Sequence, residues 1–319
     1  MRANPFSLAS YAPSRLSLAL HLTLFTHATM FFSGCSSVQG VGDSVLRGMA
    51  TVPSAQVVDT RDSVHEMAEL QDVSQESEYY LGRAVAAKVL SLYPVVNDEV
   101  LTQYINKVGQ VVVAFSDRPE TYGGYRFGIL DTEELNALAA PGGFIFISKG
   151  LLNVLPDEDA LAAVLAHEVS HVSERHALKR VSGKELSSAL DAAGVVAGAL
   201  TCNQAIQSAS KVLGVVTDKI TSILLEKGYS REQEYEADAG SVRILQRAGY
   251  EGSGLVTVLN QLDRGAVNQS AGWFKTHPSN ESRRIAVKHI LPPGAGERSS
   301  QAQVQRTRRF LRSVRGQIE

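Results

Sequence analysis

The chain has little cysteine and no large excess of either charge. Only two of its 319 residues are cysteine, which excludes a fold held together by several disulfides. The formal net charge is −2, so the composition gives no general reason to expect nucleic acid, and we predict no such partner. No internal repeat is visible. With 44% hydrophobic residues, the composition is typical of a globular protein with one sizeable core or two modest ones.

The N-terminus has the pattern of an export signal. Arg2 and Arg15 precede the apolar run LSLALHLTLFTHATMFF, residues 16–32, and the small residues SGCSS follow it. A positive start, an apolar middle and small residues near a cleavage site are typical of a secretory signal. The run is just shorter than the ~20 residues that span a bilayer. We therefore predict a signal peptide over residues 1–35, with a single N-terminal membrane anchor as the alternative.

The cysteine that ends this segment predicts attachment to lipid. The letters SGC resemble the lipobox of bacterial lipoproteins, in which Cys35 would become the lipidated first residue, although Phe32 stands where leucine is usual. Lipid on Cys35 would leave Cys202 without a partner for an intramolecular disulfide. By resemblance to the bacterial sorting rule, Ser36 favours the outer membrane. We expect a periplasm-facing lipoprotein, with residues 36–73 as a tether to the membrane.

The rest of the chain predicts an α+β domain that is mostly helical. SEYYLGRAVAAKVLSLY and NDEVLTQYINKVGQVVVAFS have apolar residues at helical spacing, and Asn97 is the expected cap of the second helix. YRFGILD and GFIFISKG have the composition of strands. The chain is again helical from Asp157 onward. We place the domain at residues 74–292 and interpret residues 293–319 as a basic C-terminal tail.

The stretch AVLAHEVSHVSERH, residues 163–176, contains two histidines four residues apart. On a helix His167 and His171 share one face, and Glu168 lies about 100° round at the edge of that face. Zinc suits this arrangement, because two neutral imidazoles and a third protein ligand leave one position open for water. The alternative is a chance pattern on a charged helix, so a third ligand has to be found.

A histidine just beyond this motif does not supply the third ligand. One known pattern needs a glycine at position 174 and a histidine at position 177, but the chain has Glu174 and Ala177. His176 lies about 140° round from His171 on a continuous helix, too far to bind the same ion. We interpret His176 as a packing or hydrogen-bonding histidine.

The segment SREQEYEADAG, residues 230–240, offers carboxylates from a later helix. Glu232, Glu234 and Glu236 are all possible ligands, and spacing alone does not choose among them. Glu234 and Asp238, four residues apart, form an attractive pair. One carboxylate would bind the metal, and Asp238 would accept the outer N–H of a ligand histidine. Taken alone, the segment could also be an acidic solvated face.

Five ordered motifs resemble the HtpX- and BepA-like zinc metallopeptidases, the glutamate-zincin family that includes the CAAX prenyl proteases. They are ESEYYLGRAVAAKVL, NALAAPGGFIFISKGLL, LAAVLAHEVSHVSERH, SREQEYEAD and THPSNESRR, over roughly residues 75–290. The resemblance implies a zincin-like fold with one Zn²⁺ per chain. The family pattern Glu-x-x-Ala-Asp selects Glu234 as the third ligand, beside His167 and His171, with Asp238 behind the ligands.

The resemblance also implies catalytic roles. Glu168 would take a proton from water held by the metal and later give it to the leaving amine. His277, in KTHPSNESR, would either donate to the oxyanion or close over zinc as a fourth ligand, and Arg283 would help to anchor this loop. The strand with Phe144, Ile145 and Phe146 is expected as an exposed sheet edge bordering the active-site cleft, where a polypeptide substrate pairs as an added strand.

Two functions follow from these expectations. The first is a zinc endopeptidase that hydrolyses cell-envelope proteins, misfolded ones above all, as the family implies. The second is a lipoprotein chaperone or assembly factor that uses the same fold with little proteolysis, together with an envelope protein partner. The presence of all the chemical residues favours the first.

Overall fold

The computed structural model describes residues 73–198, 204–265, 272–277, 280–296 and 300–316. These residues belong to one compact unit, Val57–Glu319. The predicted signal segment with Cys35 and nearly all of the predicted tether lie outside the described residues. None of the helices in the described ranges is both long enough and apolar enough to cross a membrane.

Two helices open the described part of the chain, as the apolar spacing predicts. Helix α1 covers Gln75–Leu92, and its cap Ser74 accepts a hydrogen bond from the amide of Ser77. Helix α2 covers Glu99–Ala114. Its cap is Asp98, which accepts from an amide at 2.9 Å, and not Asn97 as predicted. Adjacent asparagine and aspartate are equally good caps by type, so only the backbone path decides which one meets the free amides.

A three-stranded sheet follows. Its elements are β1 Arg126–Leu130, β2 Ala137–Ala140, a 3-10 turn Pro141–Gly143 and β3 Phe144–Ser148. The strand order is β1-β3-β2, with β1 parallel and β2 antiparallel to β3. The two turn glycines have φ of 71° and 96°, which lets the chain reverse within three residues. A mostly helical domain with a small sheet confirms the predicted α+β class.

The prediction that β3 is an exposed edge is wrong. Phe144 pairs with a residue of β1 on one side and with Ala140 of β2 on the other, so β3 is the central strand. Ile145 and Phe146 are buried. The prediction missed β2 because Ala-Leu-Ala-Ala has no β-branched or aromatic residue and reads as a connection. The two edge strands of the sheet are therefore β1 and β2.

Helices make up the remainder of the domain. They are α3 Lys149–Val154, α4 Glu158–Ser173, α5 His176–Lys179, α6 Gly183–Gly198, α7 Gln204–Ser222 with a π-helical end Ile223–Lys227, α8 Arg231–Ala248, α9 Gly254–Gly265, α10 Trp273–Thr276, α11 Asn280–Ile290 and α12 Gln301–Phe310 with a π-helical end Leu311–Arg315. Helix α4 is buried from its first residue to Val172 and packs against α2, α8, α9 and α12. It is the central helix of the fold, and it carries the His-Glu-x-x-His motif.

The segment predicted as a basic tail belongs to the folded domain as far as the structure describes it. Phe310 in α12 is fully buried and lies in the same core as α4. Arg306 and Arg309 bind Asp159 and Glu158, the first-turn acids of α4, through two hydrogen bonds each. A run of arginines has no apolar period strong enough to predict docking, and its carboxylate partners lie about 150 residues away in sequence. The boundary at residue 292 was therefore placed too early.

Candidate metal centre

Close packing of α4 on α8 assembles the centre. On α4, the Ser170 hydroxyl donates to the carbonyl of Ala166, so it stays against its own helix. Gly240 of α8 faces that hydroxyl, and a methyl group there would lie 2.6 Å from its oxygen. The contact therefore needs glycine. It brings His167 and His171 of α4 face to face with Glu234, which lies in the first turn of α8.

Three predicted ligands and a fourth residue meet in one buried cluster. The Nε2 atoms of His167 and His171 are 3.1 Å apart. The oxygens of Glu234 lie 3.6 Å from the first and 3.5 Å from the second. His277 brings its Nδ1 to 2.9 Å from Glu234 and 3.4 Å from His167 Nε2. One ligand atom from each of the four residues lies within 4.8 Å of all the others, a spacing that can hold one metal ion.

These residues fit zinc in both geometry and charge. Four ligand atoms about 2.0–2.1 Å from a tetrahedral Zn²⁺ lie ~3.3 Å from one another, close to the spacings in this cluster. Burial lowers the pKa of His171 well below its usual value, so the ring is neutral and can offer a lone pair. Burial works against ionisation of Glu234 as well, but His277 and Arg283 hold its pKa well below the usual range. The set therefore offers a neutral imidazole at His171 and a carboxylate anion at Glu234.

Glu168 lies beside the cluster and contributes no ligand atom to it. Its side chain is fully buried, and neither oxygen has a hydrogen-bond partner among the described residues. His277 Nε2 lies 3.7 Å from Oε1. Burial raises the pKa of Glu168, against the opposing effects of His277 and His167. A buried carboxylate without partners and with a raised pKa is suited to accept a proton near neutral pH.

Asp238 and Arg283 form a charged pair behind the ligands. Asp238 Oδ1 lies 3.0 Å from His167 Nδ1, on the ring side opposite the cluster. Arg283 donates to both oxygens of Asp238 at 2.8 and 2.6 Å, and its Nη1 lies 2.8 Å from Glu234 Oε2. Burial disfavours the ionised carboxyl, but Arg283 and His167 together hold the pKa of Asp238 at about 2. The pair thus connects α11, which carries Arg283, to α8 and to a histidine of α4.

The residues predicted for the substrate strand lie on the central strand of the sheet, so they do not offer an edge to a substrate. The strand that reaches the centre is β2. Ala139 and Ala140 line a small cavity of about 10 Å³ together with His171. Among the described residues, β2 makes backbone hydrogen bonds only to β3, so its outer edge has no backbone partner. Helix α4 and the π-helical end of α7 pack against β2.

Three residues close to the ligands were missed or assigned no specific contact by the sequence. Tyr229 stacks on His171, with ring centroids 4.1 Å apart and planes inclined by 17°. His176 Nδ1 lies 2.7 Å from His171 Nδ1, which confirms that His176 makes hydrogen bonds. The predicted angle of about 140° between His171 and His176 assumed one continuous helix. Because α4 ends at Ser173, that angle does not describe their true arrangement. The other ring nitrogen of His176, Nε2, lies 3.0 Å from Oε2 of Glu236. Asking where each ligand ring donates its outer N–H would have found His176.

The centre is closed to solvent. Glu168 and the four residues of the cluster are each at most 2% exposed. Trp273 stacks on His277 with ring centroids 4.1 Å apart, and it covers one side. Tyr229 covers another. A polypeptide can therefore reach these side chains only after one of the covering elements moves.

Comparisons with known proteins agree with this geometry. The family model of peptidase family M48 matches residues 99–291. The chain is 29% identical over 209 residues to the beta-barrel assembly-enhancing protease of Escherichia coli K12, covering 65% of this chain and 42% of that protein. It is 25% identical over 241 residues to the mitochondrial metalloendopeptidase OMA1 of Schizosaccharomyces pombe, covering 72% and 65%. It is 27% identical over 194 residues to the metalloprotease LoiP of Escherichia coli K12, covering 60% and 68%.

The match thus spans less than half of the assembly-enhancing protease but more than half of this chain. It includes the whole of α4 and α8, the helices that carry the His-Glu-x-x-His motif and Glu234. Because the family model covers most of the folded domain and both of these helices, the chain belongs to peptidase family M48, and the metal of its buried centre is zinc.

Proposed function

We propose that this protein is a zinc-dependent endopeptidase that hydrolyses peptide bonds of cell-envelope proteins. The observation that carries the proposal is the buried cluster of His167, His171 and Glu234 with the unpartnered carboxylate of Glu168 beside it. Three ligands leave one coordination position for water, and a free carboxylate next to that position is what peptide hydrolysis needs.

Glu168 carries the proton transfers in this proposal. Zinc, when bound, polarises the scissile carbonyl and lowers the pKa of the attacking water. The Glu168 carboxylate takes the proton of that water and later delivers it to the leaving amine nitrogen. The raised pKa of Glu168 is closer to neutral pH than that of an ordinary glutamate. A general base is most effective when its pKa is near the pH at which the enzyme works. The lack of competing hydrogen bonds leaves both oxygens available for these transfers.

In this proposal His277 is the fourth zinc ligand of the closed centre. Its Nδ1 lies as close to His167 and Glu234 as a fourth tetrahedral ligand would, which supports the ligand role over the oxyanion role in this state. We propose that His277 leaves when substrate enters and that water takes its place. His277 directly follows the short helix α10, which ends at Thr276.

The outer edge of β2 is the proposed binding site for the substrate backbone. Ala137–Ala140 has no backbone partner on that side among the described residues, and Ala139 and Ala140 share a cavity with His171. An extended polypeptide that pairs with β2 would gain main-chain hydrogen bonds with little sequence preference. This moves the substrate strand from β3, where the sequence placed it, to its neighbour.

The cell envelope is the proposed location. The N-terminal signal pattern and the lipobox at Cys35 support a lipoprotein facing the periplasm, held at the outer membrane by lipid. Two bacterial relatives, by their names a beta-barrel assembly-enhancing protease and a metalloprotease, are consistent with this. The proposed substrates are envelope proteins that fail to fold or assemble, because unfolded segments can pair with a strand edge.

One observation supports a second function. The complete burial of the centre means that the described state cannot cleave, which suits a chaperone or assembly factor with little proteolysis. In this alternative an envelope protein partner opens the centre or uses the fold without cleavage.

Casein degradation by the purified full-length protein in detergent separates the two. We expect slow cleavage with zinc, none after chelation, and none for Glu168→Gln, which should keep stoichiometric zinc because Glu168 is no ligand. Metal content measured by mass spectrometry checks the second point. Cleavage by Glu168→Gln would overturn the base assignment, and zinc loss in that variant would make Glu168 a ligand. Absence of cleavage by the unmodified, zinc-loaded protein would favour the chaperone.

A further inference from the structure

The second ligand histidine has an unusual partner on its outer nitrogen. His171 directs Nε2 into the cluster, and its Nδ1 lies 2.7 Å from Nδ1 of His176. His176 is buried, and its Nε2 lies 3.0 Å from Oε2 of Glu236. The Glu236 side chain is 47% exposed. Three side chains therefore run in line from the centre to the surface.

The protons in this line follow from the chemistry of imidazole. A ring that binds metal through Nε2 uses the lone pair of that atom, so its proton is on Nδ1 and must be donated. His176 Nδ1 faces that proton and must accept it, so the proton of His176 is on Nε2. That N–H points at Glu236, which accepts as a carboxylate. Each donor in the line has one acceptor, and the carboxylate at the surface selects the tautomer of the ligand.

The first ligand histidine has the same kind of support without the intermediate ring. His167 Nδ1 lies 3.0 Å from Asp238, which Arg283 holds with two hydrogen bonds. Each ligand ring thus has an acceptor close to its outer nitrogen, at 3.0 Å for His167 and 2.7 Å for His171. One is oriented directly by a buried carboxylate, and the other through a histidine by Glu236.

The backbone holds His176 in place. Helix α4 ends, and Arg175 has φ of 53°, the only non-glycine residue of the described ranges with positive φ. That left-handed residue turns the chain so that α5 starts at His176 and its ring faces back to His171. A left-handed arginine costs conformational energy and persists only where the surroundings require it. The turn and the 2.7 Å contact are therefore two separate observations for the same placement.

We propose that His176 and Glu236 are positioning residues that fix the tautomer and the orientation of His171 for zinc. Neither residue is a ligand, since the metal cluster contains neither. The inference rests on the proposed function only in taking His171 as a zinc ligand. It also gives a role to Glu236, which spacing left as a possible ligand and the family pattern passed over in favour of Glu234.

Zinc affinity of the full-length protein, measured by competition with a chromophoric chelator, tests the proposal without an activity assay. His176→Phe keeps a ring of similar shape but has no acceptor, and we expect zinc to bind about 10–100-fold more weakly. Glu236→Leu should weaken binding in the same direction. Glu236→Gln, in contrast to Glu236→Leu, should retain most of the zinc affinity, because its amide oxygen can still accept the hydrogen bond from His176. Glu232→Leu, an exposed residue on the same helix that is not in the line, is the control.

A double variant and a spectrum separate positioning from plain folding. His176→Phe with Glu236→Leu should bind zinc no more weakly than His176→Phe alone, because the line is already cut. Cobalt(II) in place of zinc should show an altered visible spectrum in His176→Phe and an unaltered one in Glu232→Leu. Unchanged affinity in His176→Phe, or additive losses in the double variant, would overturn the proposal. Zinc binding without casein cleavage overturns only the peptidase proposal, whereas no zinc binding by the unmodified protein overturns both.

Discussion

Arg283 is the residue whose removal should destabilise the domain most for its size. Its side chain is fully buried in contact with two carboxylates, Asp238 and Glu234, which lie one turn apart on α8. Its guanidinium also lies 5.7 Å from the ring centroid of Trp273. Arg283→Met keeps much of the length and apolar stem but removes the charge and the donors.

The expected loss follows from these contacts. Removal of one partner from a buried ion pair costs about 3–5 kcal/mol, because the remaining charge has no compensation. Zinc bound to Glu234 would offset part of this loss, so the measurement needs zinc-depleted protein. In that state we expect the free energy of unfolding of Arg283→Met to fall by about 3–5 kcal/mol at neutral pH.

The way in which the stability difference changes with pH provides a second, independent test. In the unmodified protein burial raises the pKa of Asp238, but Arg283, with a smaller contribution from His167, lowers it from 3.8 to about 2. Since a tenfold change in an ionisation constant is about 1.4 kcal/mol, this contributes roughly 2.5 kcal/mol of stability above pH ~4, and the contribution is lost as the pH falls towards ~2. Without Arg283, burial is opposed only by His167, so the pKa of Asp238 rises and its charged form is less stable in the variant. The difference between the two proteins should therefore shrink as the pH falls from about 6 to about 3.

Urea denaturation followed by circular dichroism measures both quantities. Arg284→Met is the matched control, because Arg284 is the next residue on the same helix but pairs with the partly exposed Asp263 and with Glu281. Exposed pairs of this kind contribute about 0–1 kcal/mol. A loss below about 1 kcal/mol in Arg283→Met, or equal losses in both variants, would refute the reasoning about buried charge. A stability difference between the unmodified protein and Arg283→Met that grows as the pH falls would refute the predicted pH dependence.

Three further predictions follow from other parts of the chain. After dialysis against a weak chelator, Glu234→Gln should retain the least zinc and Asp238→Asn an intermediate amount, since a hydrogen-bond partner of a ligand is worth about 10–100-fold in affinity; the reverse order would contradict the ligand placement. Cys35→Ser should abolish metabolic labelling with fatty acid and leave an unprocessed chain on a gel, whereas equal labelling would exclude lipid at Cys35. Gly82→Ala should lower stability by about 1–3 kcal/mol in thermal unfolding, because its methyl would lie 1.8 Å from a carbonyl oxygen of the turn after β2. Gly194→Ala, where a methyl meets nothing, should be tolerated, and similar losses in both would contradict the packing argument.

Local patterns in the sequence were sufficient for the helices and for the chemical residues. The four-residue spacing puts His167 and His171 on one face whatever surrounds them, because helix geometry is set by backbone hydrogen bonds. Asp157, which caps α4, and Ser74, which caps α1, act through neighbouring amides, so local sequence is enough to place them. The choice of Glu234 needed the family resemblance as well, because the carboxylates of α8 are alike in type and the face that meets α4 is not marked.

Tertiary structure alone decided the strand order, the closed centre and the long-range partners. Whether β3 is an edge or a central strand depends on whether strands pair with it on one side or on both, and the sequence of a strand does not specify its neighbours. The docking of Arg306 and Arg309 on the first turn of α4 joins residues about 150 positions apart. The line from His171 through His176 to Glu236 forms because α4 ends early and α8 packs across it. Such contacts depend on how separate elements meet in space. They are set by packing and burial of the whole domain, and no spacing along the chain encodes them.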